Sequence, residues 1–175
     1  MKHIRLAKKE DATAIALLGR TTFTETFGDL FNDIEGLRNY LNTTFSVTKI
    51  EKSIDKPNNK YWIAFVDRLP VGYAKLKLKS PSEFVNTQKI SQLQKIYVLK
   101  DFLSMKIGRQ LQDVLMNEAR KIGAEQIWLS VYQDNQRAIA FYEKNGFEVV
   151  GSHKFSIGED TFDFKAMSKQ FVTAL

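Results

Sequence analysis

Residues 92–147 read QLQKIYVLKDFLSMKIGRQLQDVLMNEARKIGAEQIWLSVYQDNQRAIAFYEKNGF, and the order of patterns in this stretch decides the fold. The run Ile96, Tyr97, Val98 is β-branched and aromatic and predicts a strand. Ile107, Leu111, Leu115 and Ala119 then recur at helical spacing. They predict a helix whose first turn holds Ile107, Gly108 and Arg109 and whose C-cap is Gly123. IWLSVY is a second strand, after which Asp134 or Asn135 supplies an N-cap. Ala138, Phe141 and Tyr142 form the inner face of a second helix, and Gly146 after Asn145 suits the left-handed position past its end. A strand, a helix, a strand and a helix joined this closely predict a parallel βαβ unit.

Working outward, KHIRL at residues 2–6 alternates as a strand, and a helix starts near Lys9 with Ala12, Ile15, Ala16, Leu18 and Gly19 on its small apolar face. Phe23, Phe27 and Phe31 follow at i, i+4, i+8, a spacing that puts three rings on one helix face, with Glu25, Asp29, Asp33 and Glu35 among them. Packing on a core is the plain account of those rings. The chemical account is that the acids, Glu25 and Asp29 beside Phe27 above all, line a pocket for a cationic substrate. Another helix covers 48–55 and ends at Pro57-Asn58-Asn59. YWIAFV and VGYAKLKLK are strands joined through Asp67-Arg68-Leu69-Pro70, and the second sets Val71, Tyr73, Lys75, Lys77 and Lys79 on one face, read as a solvated lysine row. Residues 80–90 are a polar loop. FEVVGSHKFSI and TFDFKAMSK complete the chain as strands meeting at Gly158-Glu159-Asp160. The expectation is one α/β (α+β) domain over 1–175, its sheet antiparallel at both ends and parallel across the βαβ unit.

Composition removes several chemistries. The chain has no cysteine, so it has no thiol nucleophile and no thiolate zinc site. Its two histidines, His3 and His153, sit in separate strand-like segments, which argues against a His-rich metal site and a Ser-His-Asp triad. No apolar run reaches the roughly 20 residues of a membrane span, and the N-terminus lacks the apolar core of a secretory signal. These features predict a cytoplasmic protein without a membrane partner. The net charge of +6 is scattered, with no arginine cluster or aromatic–basic interleave, so nucleic acid is not the expected partner. Edge strands near 147–168 leave room for a homodimer.

The polar residues of the central stretch point to chemistry. A helix N-terminus offers free backbone N–H groups and partial positive charge, and a glycine there lets a ligand approach. Gly108 stands in that first turn between Lys106 and Arg109, which favours an anion such as phosphate. Plainer accounts exist for each residue singly: many βα turns carry Gly and Lys, Phe141 packs in a core, Tyr142 is a hydrogen-bonded core tyrosine, and Asn135 caps a helix. They do not account for all of them standing one helix away from a phosphate turn.

Here the chain resembles the GNAT superfamily of acyl-CoA-dependent N-acetyltransferases. The tail N-x-x-A-x-x-F-Y-x-x-x-G-F is matched by Asn135, Ala138, Phe141, Tyr142, Gly146 and Phe147, the acyl-CoA signature covers 92–147, and the element order agrees from Met1 to about Ser168. TTFTETFGDLFN and IWLSVYQDNQRAIAFY are most similar to the PaiA-type polyamine acetyltransferases. The resemblance implies a mixed sheet of about seven strands flanked by helices, with acetyl-CoA as cosubstrate and a small amine, a polyamine in that subfamily, as acceptor. It implies that the backbone of Ile96, Tyr97 and Val98 pairs with pantetheine. The amides of Leu103, Ser104, Met105, Lys106, Ile107, Gly108 and Arg109 would hold the pyrophosphate. Asn135 would hydrogen-bond the pantetheine portion, Ala138 and Phe141 would also contact the cosubstrate, and Tyr142 would stand near the thioester sulfur as general acid. Two positions depart from the pattern. The loop Q/R-x-x-G-x-G/A has Leu103, Lys106 and Gly108 at its marked positions, and the strand Glu that serves many relatives as a base is Gln94. Proton removal then runs through water toward Glu25 or Asp29, or to solvent. Competing readings are an acyl-CoA-binding regulatory module without catalysis, and acetylation of a protein amine.

Overall fold

The computed structural model describes residues 1–172. Its strands are β1 (Lys2–Leu6), β2 (Asn59–Val66), β3 (Leu69–Lys77), β4 (Ile90–Val98), β5 (Gln126–Tyr132), β6 (Glu148–Ile157) and β7 (Asp160–Gln170). Its α-helices are α1 (Ala12–Phe27), α2 (Ile34–Thr44), α3 (Val47–Ile54), α4 (Ile107–Lys121) and α5 (Gln136–Lys144). The seven strands make one sheet in the order β1-β2-β3-β4-β5-β7-β6. Only β4 and β5 run parallel; every other neighbouring pair is antiparallel. This is the expected mixed α/β sheet of seven strands flanked by helices.

Helices cover both faces. On one side Ile107, Leu111, Leu115 and Ala119 of α4 pack on Ala74, Leu76, Leu93, Ile127 and Leu129. On the other, Ile15 and Leu18 of α1 and Ile50 of α3 pack on Tyr61, Ile63 and Tyr73. Phe23, Phe31, Leu37, Phe45 and Ile157 form a third cluster under α2. The β2–β3 hairpin turns on Asp67 and Arg68, whose φ of 48° and 71° give the paired left-handed turn that matches strand twist.

Three sequence expectations change. The rings of Phe23, Phe27 and Phe31 do not share one helix, because α1 ends at Phe27 and a 3₁₀ turn, Gly28–Leu30, intervenes. They still meet, with centroids 4.8 Å apart for Phe23–Phe27 and 6.2 Å for Phe23–Phe31. Residues 9–11 form a 3₁₀ turn ahead of α1 rather than its first turn. The lysine row of β3 is not a solvated face: Val71 and Tyr73 are fully buried, and Lys75 is partly buried. Helices α1 and α3 cover that part of the sheet, and only the end of the row, Lys77 and Lys79, reaches solvent.

The feature that makes a site is where β4 and β5 part. Their pairing covers only Ile90↔Gln126, Ser91↔Ile127 and Gln92↔Trp128. Beyond that, β5 pairs only with β7 and β4 only with β3. A bulge marks the divergence: Lys75 pairs with Lys95 and Leu76 with Leu93, so Gln94 is the extra residue. An extra residue bends its strand. From Leu93 to Val98 one edge of β4 is therefore left without a strand partner, a row of backbone groups that a ligand can satisfy.

Candidate active site

The gap between the diverging strands opens into a cavity of about 980 Å³. One end is walled by Ile96 and Val98 of β4, Leu103, Lys106, Gly108 and Arg109 at the start of α4, and Asn135, Ala138, Phe141 and Tyr142 of α5. The other end lies under α1–α3, against Phe23, Phe27, Tyr40, Lys49, Tyr61, Lys75 and Lys95.

At the first end, Lys106 precedes α4 in the left-handed conformation, φ 61°. That conformation favours glycine, so the backbone keeps the shape the glycine loop would give while the side chain adds a cation. Gly108 lies in the first turn and faces the cavity. A Cβ built on it would meet nothing closer than Cγ2 of Val98 at 4.0 Å, so the protein's own packing does not require a glycine there. Space kept clear at a helix N-terminus fits a phosphate-bearing ligand. The Arg109 Nε donates to Oδ1 of Asp113 at 3.0 Å, and its Nη1 donates to Oδ1 of Asn145. These contacts hold the guanidinium beside the opening.

Helix α5 is capped by Asn135, whose Oδ1 accepts from the N–H of Ala138 at 3.2 Å. Asn135 thus performs the plain capping role while also lining the cavity. Tyr142 lies against Phe141 and Phe147, with centroids 5.2 and 5.6 Å away. Burial pushes its phenol well above the usual tyrosine range. It therefore keeps its proton throughout the neutral range. Burial likewise raises Tyr97, with Tyr40 and Tyr142 adding to the effect.

The expected residues divide into two sets. Ile96, Tyr97, Val98, Leu103, Lys106, Gly108, Arg109, Asn135, Ala138, Phe141, Tyr142 and Phe27 all line the one cavity. Ser104, Met105 and Ile107 contribute no wall: Ile107 is buried in the core under α4, and Ser104 and Met105 belong to the 3₁₀ segment Lys100–Met105. Glu25 and Asp29 are exposed and also off the wall. Glu25 instead accepts from the N–H of Lys100 at 3.1 Å, tying α1 to the segment that leads into α4.

Sequence reasoning missed Lys95 and Lys75. For Lys75 the signal was present, since it shares a strand face with Val71 and Tyr73, positions too apolar for a wet surface. Sequence reasoning also missed a clasp close in sequence to the wall residues Phe31, Ile157 and Phe162. Asp160 accepts from the N–H groups of Asn32 and Asp33 at 3.0 and 2.8 Å, and Asp33 accepts from those of Gly36 and Glu159 at 2.8 and 3.0 Å. These two backbone hydrogen bonds hold the Asp33 carboxyl below the usual range. The connection from α1 to α2 is thereby locked onto the β6–β7 tip. Ser130 and His153 form another pair on the wall, 2.8 Å apart.

Comparison with known proteins adds four findings. The family model described as Acetyltransferase (GNAT) family matches residues 23–147. An uncharacterised N-acetyltransferase of Lactobacillus delbrueckii subsp. lactis is 28% identical over 161 residues, 91% of each chain. A spermidine N(1)-acetyltransferase of Thermoplasma acidophilum is 23% identical over 150 residues, covering 83% of this chain and 88% of that one. Among solved structures, the PaiA N-acetyltransferase of Thermoplasma acidophilum in complex with coenzyme A superposes with a TM-score of 0.76 at 22% identity, over 98% of this chain and 99% of the other. At that identity the superposition speaks for the fold.

Proposed function

With a family match over most of its length, the chain belongs to the GNAT family of acetyltransferases, and from that premise we propose that it moves acetyl from acetyl-CoA to the primary amine of a small molecule. The observation that carries this reading is the unpaired edge of β4 from Leu93 to Val98, opening beside an α4 N-terminus that keeps Gly108 clear and presents Lys106 and Arg109. A helix start and two cations suit a pyrophosphate, and an open strand edge suits an extended amide chain. The amides of 103–109 and the backbone of 96–98 would hold those two parts. The thioester supplies the activated acetyl group.

A primary alkyl amine is protonated at neutral pH and must lose a proton before attack. The amine nitrogen then bonds to the acetyl carbon as the carbon–sulfur bond breaks. An N–H of the 96–98 segment would stabilise the developing oxyanion without any side chain. Tyr142 holds its proton toward the departing sulfur. Burial makes its phenolate a stronger base than a thiolate with a pKa of about 8.5, so the phenol acts chiefly as a hydrogen-bond donor at the sulfur. Gln94 takes no proton, and Glu25 and Asp29 stand off the wall, so the proton lost before attack leaves to solvent through the cavity, and the second, shed by nitrogen as the amide forms, ends on the departing thiolate.

The spermidine acetyltransferase relative supports a polyamine acceptor. The cavity's lysines and the absence of carboxylates from its described wall weigh against one. Strand β6 ends the sheet with Val149, Val150 and Phe155 exposed, which supports a homodimer through that edge. Released thiol, measured with acetyl-CoA and a panel of amines, tests the transfer. Amine-dependent release is expected, whereas bound acetyl-CoA without release is the behaviour of a regulatory module.

A further inference from the structure

The end of the cavity away from α4 carries three ammonium groups with no counter-charge among the described residues. Lys75 and Lys95 are register partners across β3 and β4, so two like charges stand side by side. The bulge at Gln94 helps place Lys95 on this face: Leu93, Ile96 and Val98 pack toward α4, while Lys95 and Tyr97 turn the other way, toward Phe45. Lys49, exposed on α3, completes the group. Among the described residues no Asp or Glu lines this cavity, and none of the three lysines has an ion-pair partner.

Aromatic rings take the place of carboxylates. The Lys95 Nζ lies 4.8 Å from the centroid of Phe45 and 5.3 Å from that of Tyr97, and the Lys75 Nζ lies 5.4 Å from that of Tyr61. Such contacts recover part of the cost of desolvating a cation, not the cost of holding two together. The strain shows in their proton affinities. Burial, then the charges of Lys75 and Lys49, lowers Lys95 to about 7; burial, then Lys77, Lys56 and Lys49, lowers Lys75 to about 8. Nothing in the packing needs these charges, since an apolar side chain would cover the same rings without penalty. A cost kept on the wall of a ligand cavity signals the charge of the ligand.

We propose that the acceptor is a small primary amine carrying an anionic group, a carboxylate or a phosphate, and that Lys95 and Lys75 bind that anion with Lys49 at the rim. This deepens the acetyl-transfer reading and rests on it. Lys95 is one to three residues from the 96–98 segment, roughly 3–10 Å of strand. Amine and anion therefore fit within one small molecule. The polyanionic cosubstrate is served separately, by Lys106 and Arg109 at the other end.

The test compares kcat/KM at saturating acetyl-CoA for 4-aminobutyrate, 2-aminoethyl phosphate, butylamine and spermidine. The two anionic amines should exceed butylamine and spermidine by tenfold or more, and their ratio to each other tells carboxylate from phosphate. In Lys75→Met and Lys95→Met the preference over butylamine should collapse toward one, mainly through KM. Butylamine or spermidine matching the anionic amines, or an undiminished preference in both variants, overturns the proposal. A second measurement does not depend on turnover. 4-Acetamidobutyrate should bind the CoA-loaded wild type at least tenfold more tightly than the CoA-loaded double variant, and equal or absent binding to both overturns the proposal. Failure of the wild type to bind CoA at all would instead sink the acetyl-transfer reading beneath it.

Discussion

At the scale of single residues, Gly108 and Tyr142 carry the sharpest expectations. A glycine inside a helix costs roughly 0.5–1 kcal/mol relative to alanine. Gly108 lies in α4 with its Cβ position open except for Val98 at 4.0 Å. Gly108→Ala should therefore raise stability by up to about 1 kcal/mol in a denaturant titration. The same change should weaken acetyl-CoA binding, because the new methyl occupies the approach to the helix N-terminus. A variant that is no more stable, or binds as tightly, contradicts the idea that the glycine is kept for a ligand. Tyr142→Phe keeps the ring against Phe141 and Phe147 and removes only the hydroxyl, so it should lower kcat roughly 10²-fold with little change in KM for acetyl-CoA. An unchanged kcat would take Tyr142 out of the chemistry. Both residues were legible in the sequence because turn chemistry and helix spacing fix them locally. Lys95 was not, because its direction depends on a bulge at Gln94 that no local propensity announces.

At the scale of elements, the sequence foretold β4, α4, β5 and α5 because their apolar spacing and caps agree. The aromatic segment was harder. Its rings keep helical spacing across Gly28, so periodicity runs on where the backbone does not. What breaks it is the 3₁₀ turn and the Asp33 cap of α2, whose Oδ1 accepts from Gly36 N–H. Asp33 also reaches the N–H of Glu159, so one carboxylate ends a loop, starts a helix and joins the β6–β7 tip. Gly36 and Gly158 permit this approach: a Cβ on either would lie 2.9 Å from the other's Cα. Asp33→Ala should loosen the α1–α2 connection, which carries the wall residue Phe31, and raise the acceptor KM several-fold while kcat changes little. The pH dependence has a definite sign. The folded-state pKa of Asp33 is lowered from 3.8, so the clasp's contribution is complete above that value and is lost as pH falls through the depressed one. Between pH 5 and 8 the Asp33 effect should therefore be flat, and a KM effect of the variant that varies steeply in that window would contradict the clasp.

At the scale of the whole molecule, the sheet is built to be incomplete. Two apolar layers hold seven strands together, yet β4 and β5 share only three register pairs before separating. The sequence predicted parallel neighbours and did not show the gap, since it arises from the bulge and from β5 pairing with β7, a long-range choice. Lys95 makes the cost of the cavity measurable. Its folded-state pKa of about 7 is below its ordinary 10.5, so between these values the unfolded chain binds more protons and stability rises with pH. The full penalty is present below about pH 7, with an upper bound of about 5 kcal/mol at about 1.4 kcal/mol per pKa unit. Solvent in the cavity reduces it. Lys95→Met should accordingly be more stable than the wild type at pH 6, and the gain should shrink toward pH 10. A gain that is absent at pH 6 would mean that Lys95 carries no buried charge.

If the unpaired edge of β4 and the first turn of α4 hold acetyl-CoA, amide hydrogen exchange with and without it reads out both segments at once. Saturating acetyl-CoA should slow exchange within residues 94–98 and 103–109, with a smaller effect around Asn135. Unchanged exchange in those segments at saturation, or protection confined to another part of the chain, would mean that the β4 edge and the α4 N-terminus do not hold acetyl-CoA.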